Sequence, residues 1–169
     1  MQQLLLRLEH CHEIGILHRD IKGSNLLIEK TGMLKIADFW LANFFDPNRR
    51  RPLTIVTLWY RAPELLLGST DYGVGIDLWS TGCLLAEMFM GRPFMPGKTE
   101  ILKLCGSPPE GYWKRLKPPA TFRPPQPYKS SYQETFKDFP ASPFGLLTAL
   151  LPLHPTYRGT ASSALLTFS

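Results

Sequence analysis

At 169 residues the chain is long enough for one compact domain, and 44% hydrophobic with 20% charged residues excludes wholesale disorder and a fibrous repeat. Its net charge of +5 comes from scattered basic residues; the single run, Arg49-Arg50-Arg51, has no aromatic interleaving, which argues against direct nucleic-acid binding. Cys11, Cys83 and Cys105 form no C-x-x-C pair and fit a reducing intracellular compartment, no apolar run reaches membrane-span length, and the first residues lack a signal peptide's apolar core.

Along the chain, Leu4, Leu5 and Leu8 follow helical spacing, which predicts an amphipathic helix over residues 2–13 that ends at Gly15. A loop-like stretch follows. Leu26-Leu27-Ile28 and Met33-Leu34-Lys35-Ile36 flank the turn-prone Lys30-Thr31-Gly32 and predict a short hairpin. The polar, basic residues 46–51 read as exposed. From Ile76 to Phe89 the chain is apolar on nearly every side, including Cys83, as expected of a helix buried through a domain and closed by Gly91. Five prolines in residues 118–127 require a surface connection, because proline cannot donate to a regular ladder. An apolar helix is expected at about 143–151 before Pro152, and a short one at 160–167. The fold class is therefore mainly α with one short β-hairpin.

Phosphoryl transfer asks for a carboxylate near the attacking hydroxyl, metal ligands on the triphosphate and cations against developing charge. The segment from His18 to Asn25 carries residue types that supply these. Asp20 would accept the hydroxyl proton, Lys22 would sit at the transferred phosphate, and Asn25 would offer an amide oxygen to Mg2+. Asp38, beyond the hairpin, would be the second Mg2+ ligand and help hold ATP.

The order His18-Arg19-Asp20, Lys22, Asn25, Asp38-Phe39 and Ala62-Pro63-Glu64 resembles the protein kinase superfamily. Lys22 two places after Asp20 is similar to its Ser/Thr branch, and Leu58-Trp59-Tyr60-Arg61-Ala62-Pro63-Glu64 to cyclin-dependent kinases. The stretches LLRLEHCH, LHRDIKGSNLLI, LKIADF and FKDFPAS resemble plant, transcription-associated C-type members. The resemblance covers the larger, C-terminal lobe and implies a catalytic loop at 18–25, an activation segment at 38–64 and a central buried helix at about 75–90. It implies that Arg19 pairs with a phosphorylated Thr54, that the Thr57 hydroxyl links Asp20 and Lys22, and that Glu64 and Arg158 form a buried salt bridge. Asp77 would hold the loop backbone, and His18 would pack beneath Phe39 instead of acting as a base. ATP, Mg2+, a cyclin, Ser/Thr-Pro protein substrates such as the RNA polymerase II tail, and a nuclear location are the expected partners and setting.

The sequence also departs from that pattern. No G-x-G-x-x-G loop, strand Lys or helix Glu precedes Asp20, so the N-terminal lobe is expected to be absent and the chain alone to transfer phosphate negligibly. An inactive binding module or degraded gene product is the alternative reading. Trp40 stands where the family has glycine, predicting a clash beside Asp38. Residues 54–57 and 99–105 read as shortened, and Pro155 lacks an acidic residue before it. His10, His12 and His154 have no ligand-like spacing, and Trp59, Trp79 and Trp113 are expected to pack.

Overall fold

Helix α1 (Gln2–Glu13) buries Leu4, Leu5 and Leu8 and ends where Gly15 turns to φ +77°, a conformation that costs glycine nothing. The computed structural model describes residues 1–45, 58–95, 97–112 and 127–168. After Gly15, strand β1 (Ile16–Leu17) pairs antiparallel with β4 (Asn43–Phe44), Ile16 opposite Phe44. This small ribbon closes a stretch read from the sequence as loop.

Between them, β2 (Leu26–Ile28) and β3 (Leu34–Ile36) make the expected hairpin, with Leu26 opposite Ile36 and Ile28 opposite Leu34. Its turn is set by Gly32 at φ +80° and by the Glu29 amide donating to the Met33 carbonyl over 2.9 Å. The side chain of Gln3 fastens the hairpin to α1, donating to the Gly32 carbonyl at 3.1 Å and accepting from the Leu34 amide at 2.8 Å.

Short helix α2 (Pro63–Leu66) places proline at its first position, where no amide is needed. The central helix α3 (Gly75–Met90) is buried from Gly75 through Ala86 and stops at Gly91, φ +69°. Helices α4 (Lys98–Cys105), α5 (Tyr132–Thr135), α6 (Ala141–Leu150) and α7 (Ala161–Leu165) complete the described helices named here. Helix α6 starts two residues before the expected position because Pro143 is tolerated in the first turn, where amides lack helical partners. Helix α7 opens with a capping box from Thr160 and Ser163 and runs into a 3-10 turn at Leu166–Phe168.

Helix α3 packs against α6, and α1 against α7, around one core that includes Trp79, Cys83, Leu146, Leu147 and Leu150. Gly82 lets α3 approach the end of α6, since a Cβ there would lie 2.7 Å from Leu151 Cδ2. Trp79 is fully buried, but Trp59 is exposed, correcting the expectation that it packs. Residues 46–57, Trp113 and all of the proline-rich connection except Pro127 lie outside the described residues. No helix among the described residues is long and apolar enough to cross a membrane.

Candidate functional site

The loop at residues 18–25 hangs from one buried carboxylate. Asp77, in the first turn of α3, accepts the backbone amides of His18 at 2.9 Å and Arg19 at 2.7 Å. Hydrogen bonds to a charged acceptor are each worth about 1.5–3 kcal/mol net, enough to offset the left-handed backbone of Arg19, which costs about 1–2 kcal/mol. Arg19 has φ +72°. His12 Nε2 also meets Asp77 Oδ2, at 2.9 Å, although the two residues are 65 positions apart.

His18 is buried and committed at both ring nitrogens. Nδ1 accepts from the Asp20 amide at 3.3 Å, so Nε2 is the nitrogen that donates to the Ala37 carbonyl at 3.0 Å. Its ring meets Phe39 edge-on, 4.7 Å between centroids. With no nitrogen left over, this imidazole orders the loop and has no free site for a proton from a substrate.

Asp20 and its neighbours converge through side-chain hydrogen bonds. Asp20 Oδ2 accepts from Lys22 Nζ at 2.7 Å and from Asn25 Nδ2 at 3.0 Å, while that amide nitrogen also donates to the Asp20 carbonyl at 2.8 Å. Among the described residues nothing occupies Asp20 Oδ1 or the Asn25 amide oxygen, since every recorded bond of these two side chains uses other atoms. The Ala37 amide donates to the Asn25 carbonyl at 2.8 Å, so the hairpin returns Asp38 to the loop. Asp38 is exposed, left-handed at φ +61°, and has no recorded hydrogen bond or ion pair among the described residues. Two hard oxygen donors on adjoining backbone segments fit Mg2+, which takes one or two protein oxygens and draws its remaining ligands from water and phosphate.

Asp20 shares the lining of a small cavity of about 20 Å³ with Arg19, Tyr60, Arg61, Tyr72 and Ser80 among others. Ser80 Oγ lies 2.7 Å from the Tyr60 carbonyl, and Tyr60 donates its hydroxyl to Glu87. Burial, and then the neighbouring Glu87 carboxylate, raise the Tyr60 phenol above its ordinary range. Arg61 is lowered by desolvation. The Arg19 guanidinium sits 5.8 Å from the centre of the Tyr72 ring.

Glu64 and Arg158 are joined bidentately at 2.7 and 2.9 Å, and Arg158 spends its other N–H groups on the carbonyls of Gly75, Pro152 and Leu153. All five guanidinium donors are therefore paired. In the turn that carries Arg158, His154 stands where the resemblance implies an acid before Pro155, and its Nδ1 accepts from the Thr156 amide at 3.4 Å and meets the Thr156 hydroxyl at 2.7 Å.

The structure corrects a second expectation, at Trp40. Trp40 is 87% exposed in a 3-10 turn, and the left-handed residue of this segment is Asp38, so the large side chain meets no clash and no glycine is required at position 40. Thr54 and Thr57 lie outside the described residues. His12, Tyr60, Arg61, Tyr72 and Ser80 were not singled out from the sequence as part of this site. Only Tyr60 and Arg61 carried a local signal, inside the stretch ahead of Ala62-Pro63-Glu64.

Comparison with known proteins agrees with this geometry. The sequence model of the protein kinase domain matches residues 1–167. A probable serine/threonine-protein kinase of Arabidopsis thaliana is 63% identical over 175 residues, covering 98% of this chain and 31% of that protein. Cyclin-dependent kinase C-2 of Oryza sativa subsp. japonica is 47% identical, covering 98% of this chain and 34% of that protein. The chain thus spans about a third of these relatives. Among solved structures, the yeast RNA Pol II CTD kinase CTDK-1 complex contains a chain with TM-score 0.87 and 38% identity, matched over 97% of this chain and 58% of that one. The mainly helical lobe with a short hairpin beside the loop is the one expected from the sequence.

Proposed function

The chain belongs to the protein kinase family, and we propose that it supplies the phosphoryl-transfer machinery of a cyclin-dependent Ser/Thr kinase acting on Ser/Thr-Pro sites. The observation that carries this reading is the division of labour within Asp20. One oxygen is held by Lys22 and Asn25, and among the described residues the other has no hydrogen-bond partner. The fixed oxygen orients the carboxylate, and the free one can accept the proton of an attacking hydroxyl. Lys22, already 2.7 Å from that carboxylate, lies where its charge would offset negative charge on a transferred phosphoryl group. Asn25 Oδ1 and Asp38 would hold Mg2+, which bridges nucleotide phosphates and neutralises developing charge when bound.

In this reading residues 18–25 form the catalytic loop and 38–64 the activation segment, with Arg19 receiving a phosphate on Thr54 and Thr57 bridging Asp20 to Lys22. A cyclin partner and a polymerase-tail substrate are supported by the names of the C-type relatives and of the yeast complex, and a nuclear setting is part of the same proposal. Because the chain spans about a third of those relatives, turnover is best measured in a chimera carrying the small lobe of the 63% identical Arabidopsis kinase, with a cyclin and a Ser-Pro peptide. Labelling that falls about 10²–10⁴-fold in Asp20→Asn supports the reading. Equal labelling by the chimera and its Asp20→Asn form overturns it.

A further inference from the structure

The 3-10 turn Pro155–Arg158 begins with a residue that has no amide proton, so Thr156 supplies its first backbone donor. The Tyr157 amide is taken by the His154 carbonyl at 3.1 Å. The Thr156 amide turns instead to the His154 side chain, where Nδ1 accepts it at 3.4 Å and meets the Thr156 hydroxyl at 2.7 Å. An amide nitrogen can only donate, so Nδ1 is unprotonated and Nε2 carries the proton of the neutral ring.

The same turn is tied down at its other end by Arg158. That side chain reaches back to the Pro152 and Leu153 carbonyls, just ahead of His154, and across to Gly75 and Glu64. Pro155 lies against α3: a Cβ on Gly75 would come within 3.4 Å of the Pro155 carbonyl oxygen and 3.6 Å of Arg158 Nη1. Residues 152–158 therefore form one closed loop with two fasteners, a histidine cap at its start and the buried arginine at its end. The Tyr112 ring faces the imidazole at 5.3 Å from residues 110–112, whose charged member is exposed Glu110, and the Tyr157 ring faces it at 5.4 Å from its own turn. Of the two helices packed on the turn, α6 has no ionisable side chain. On α3, Asp77 is bonded to His12 and the loop amides, Glu87 to Tyr60, and burial keeps the Cys83 thiol protonated.

We propose that His154 makes this turn a proton-sensitive clasp: protonation of Nδ1 releases the Thr156 amide and loosens the hold of Arg158 on Glu64. The charged imidazole presents an N–H where the amide already points its own, so donor faces donor and the cap is lost. A free imidazole takes up its second proton near about pH 6.5. In the unfolded chain that uptake breaks nothing; in the folded chain it breaks the cap. The folded state therefore binds fewer protons in this range, so the clasp contributes fully above about pH 6.5 and weakens as the pH falls below it. An aspartate at position 154 would stay ionised and hold the amide throughout, so the histidine is what makes the clasp titrate. This inference concerns the Glu64 anchor and is independent of the proposed phosphoryl transfer.

The test is NMR hydrogen exchange on the ¹⁵N-labelled 169-residue chain, corrected for intrinsic rates. It spans about pH 7.5 to 5.5, one unit either side of the free imidazole. Protection of the Thr156 amide is expected to fall about fivefold toward the acid end, the scale of losing a helix cap. The Arg158 Nε–H, bonded to the Pro152 carbonyl, should exchange faster along with it. His154→Asp should hold both steady, and His154→Ala should show the acid-end values at every pH. His154→Asn, an acceptor without charge, should behave as His154→Asp does and so separates the lost acceptor from the gained charge. His10, His12 and His18 are common to all of these proteins, so the contrast isolates His154. Unchanged Thr156 protection in the parent chain overturns the proposal, and so does an equal loss in both His154→Asp and His154→Asn, which would put the proton on another group. A response at Thr156 with none at the Arg158 Nε–H overturns the coupling between cap and ion pair.

Discussion

The ion pairs Glu64–Arg158 and Asp20–Lys22 share an N–O distance of 2.7 Å, yet they belong to regions built on opposite terms. Around Arg158 everything is closed: the pair is 1–2% exposed, each guanidinium N–H has an acceptor, and the plane lies 4.9 Å from the centre of the Trp79 ring. Around Asp20 the same contact leaves capacity unspent, because Lys22 is 23% exposed and, among the described residues, one carboxylate oxygen has no partner. A contact distance alone does not separate a strut from a reactive group. What separates them is whether any donor or acceptor is left over.

The largest effect should come from breaking the closed pair. Arg158→Met strands Glu64 in a dry site and removes one donor from each of the Gly75, Pro152 and Leu153 carbonyls, and losing one partner of a buried pair costs about 3–5 kcal/mol. Urea denaturation should show a lower midpoint with an unchanged slope. A loss under 1 kcal/mol would mean that water reaches Glu64.

Next comes the close approach at Gly82. Helix propensity alone says Gly82→Ala stabilises α3 by about 1 kcal/mol. A Cβ 2.7 Å from Leu151 Cδ2, and as near as 3.0 Å to Leu150 Cβ, says the opposite, and overpacking costs about 1–3 kcal/mol. The expected outcome is net destabilisation by denaturation, with the double variant Gly82→Ala, Leu151→Ala less than additive because the two sites touch.

How much of this could be read beforehand depends on how far apart the partners lie. Helix α1, the hairpin at Gly32 and the span of α3 follow from periodicity and turn chemistry within a few residues, and the structure places them where the sequence does. The Glu64–Arg158 pair spans 94 positions and was legible only through the resemblance to kinases. His12 shows no ligand spacing with its neighbours in sequence, yet its partner is Asp77, 65 positions away, which no local pattern reveals. His154 stands in for a missing acid because an unprotonated ring nitrogen accepts an amide as a carboxylate does. The expected clash at Trp40 assumed that position 40 needs a glycine backbone, while the left-handed turn is taken one step earlier, by Asp38.

Third, Lys22→Met breaks the open pair. Partly exposed ion pairs contribute about 0–1 kcal/mol, so the denaturation midpoint should scarcely move. On the proposed function, phosphoryl transfer in the chimera should fall all the same, because Lys22 would orient Asp20 and carry charge near the phosphate. A stability loss as large as that of Arg158→Met would erase the distinction between the two regions.

The smallest effect, and the sharpest test of the open face, is Trp40→Gly. An 87% exposed ring buries almost nothing, so its removal should change stability by no more than about 0.5 kcal/mol, slightly downward because glycine loses more backbone entropy on folding. Fluorescence supplies an independent reading. Trp40 is the most exposed indole among the described residues, so its loss should move the mean emission to shorter wavelength, toward that of buried Trp79. If Trp40→Gly instead stabilised the chain by more than about 1 kcal/mol, the indole would be strained in the folded state. Asp38 would then owe its left-handed backbone to that strain and not to the tether between the Ala37 amide and the Asn25 carbonyl.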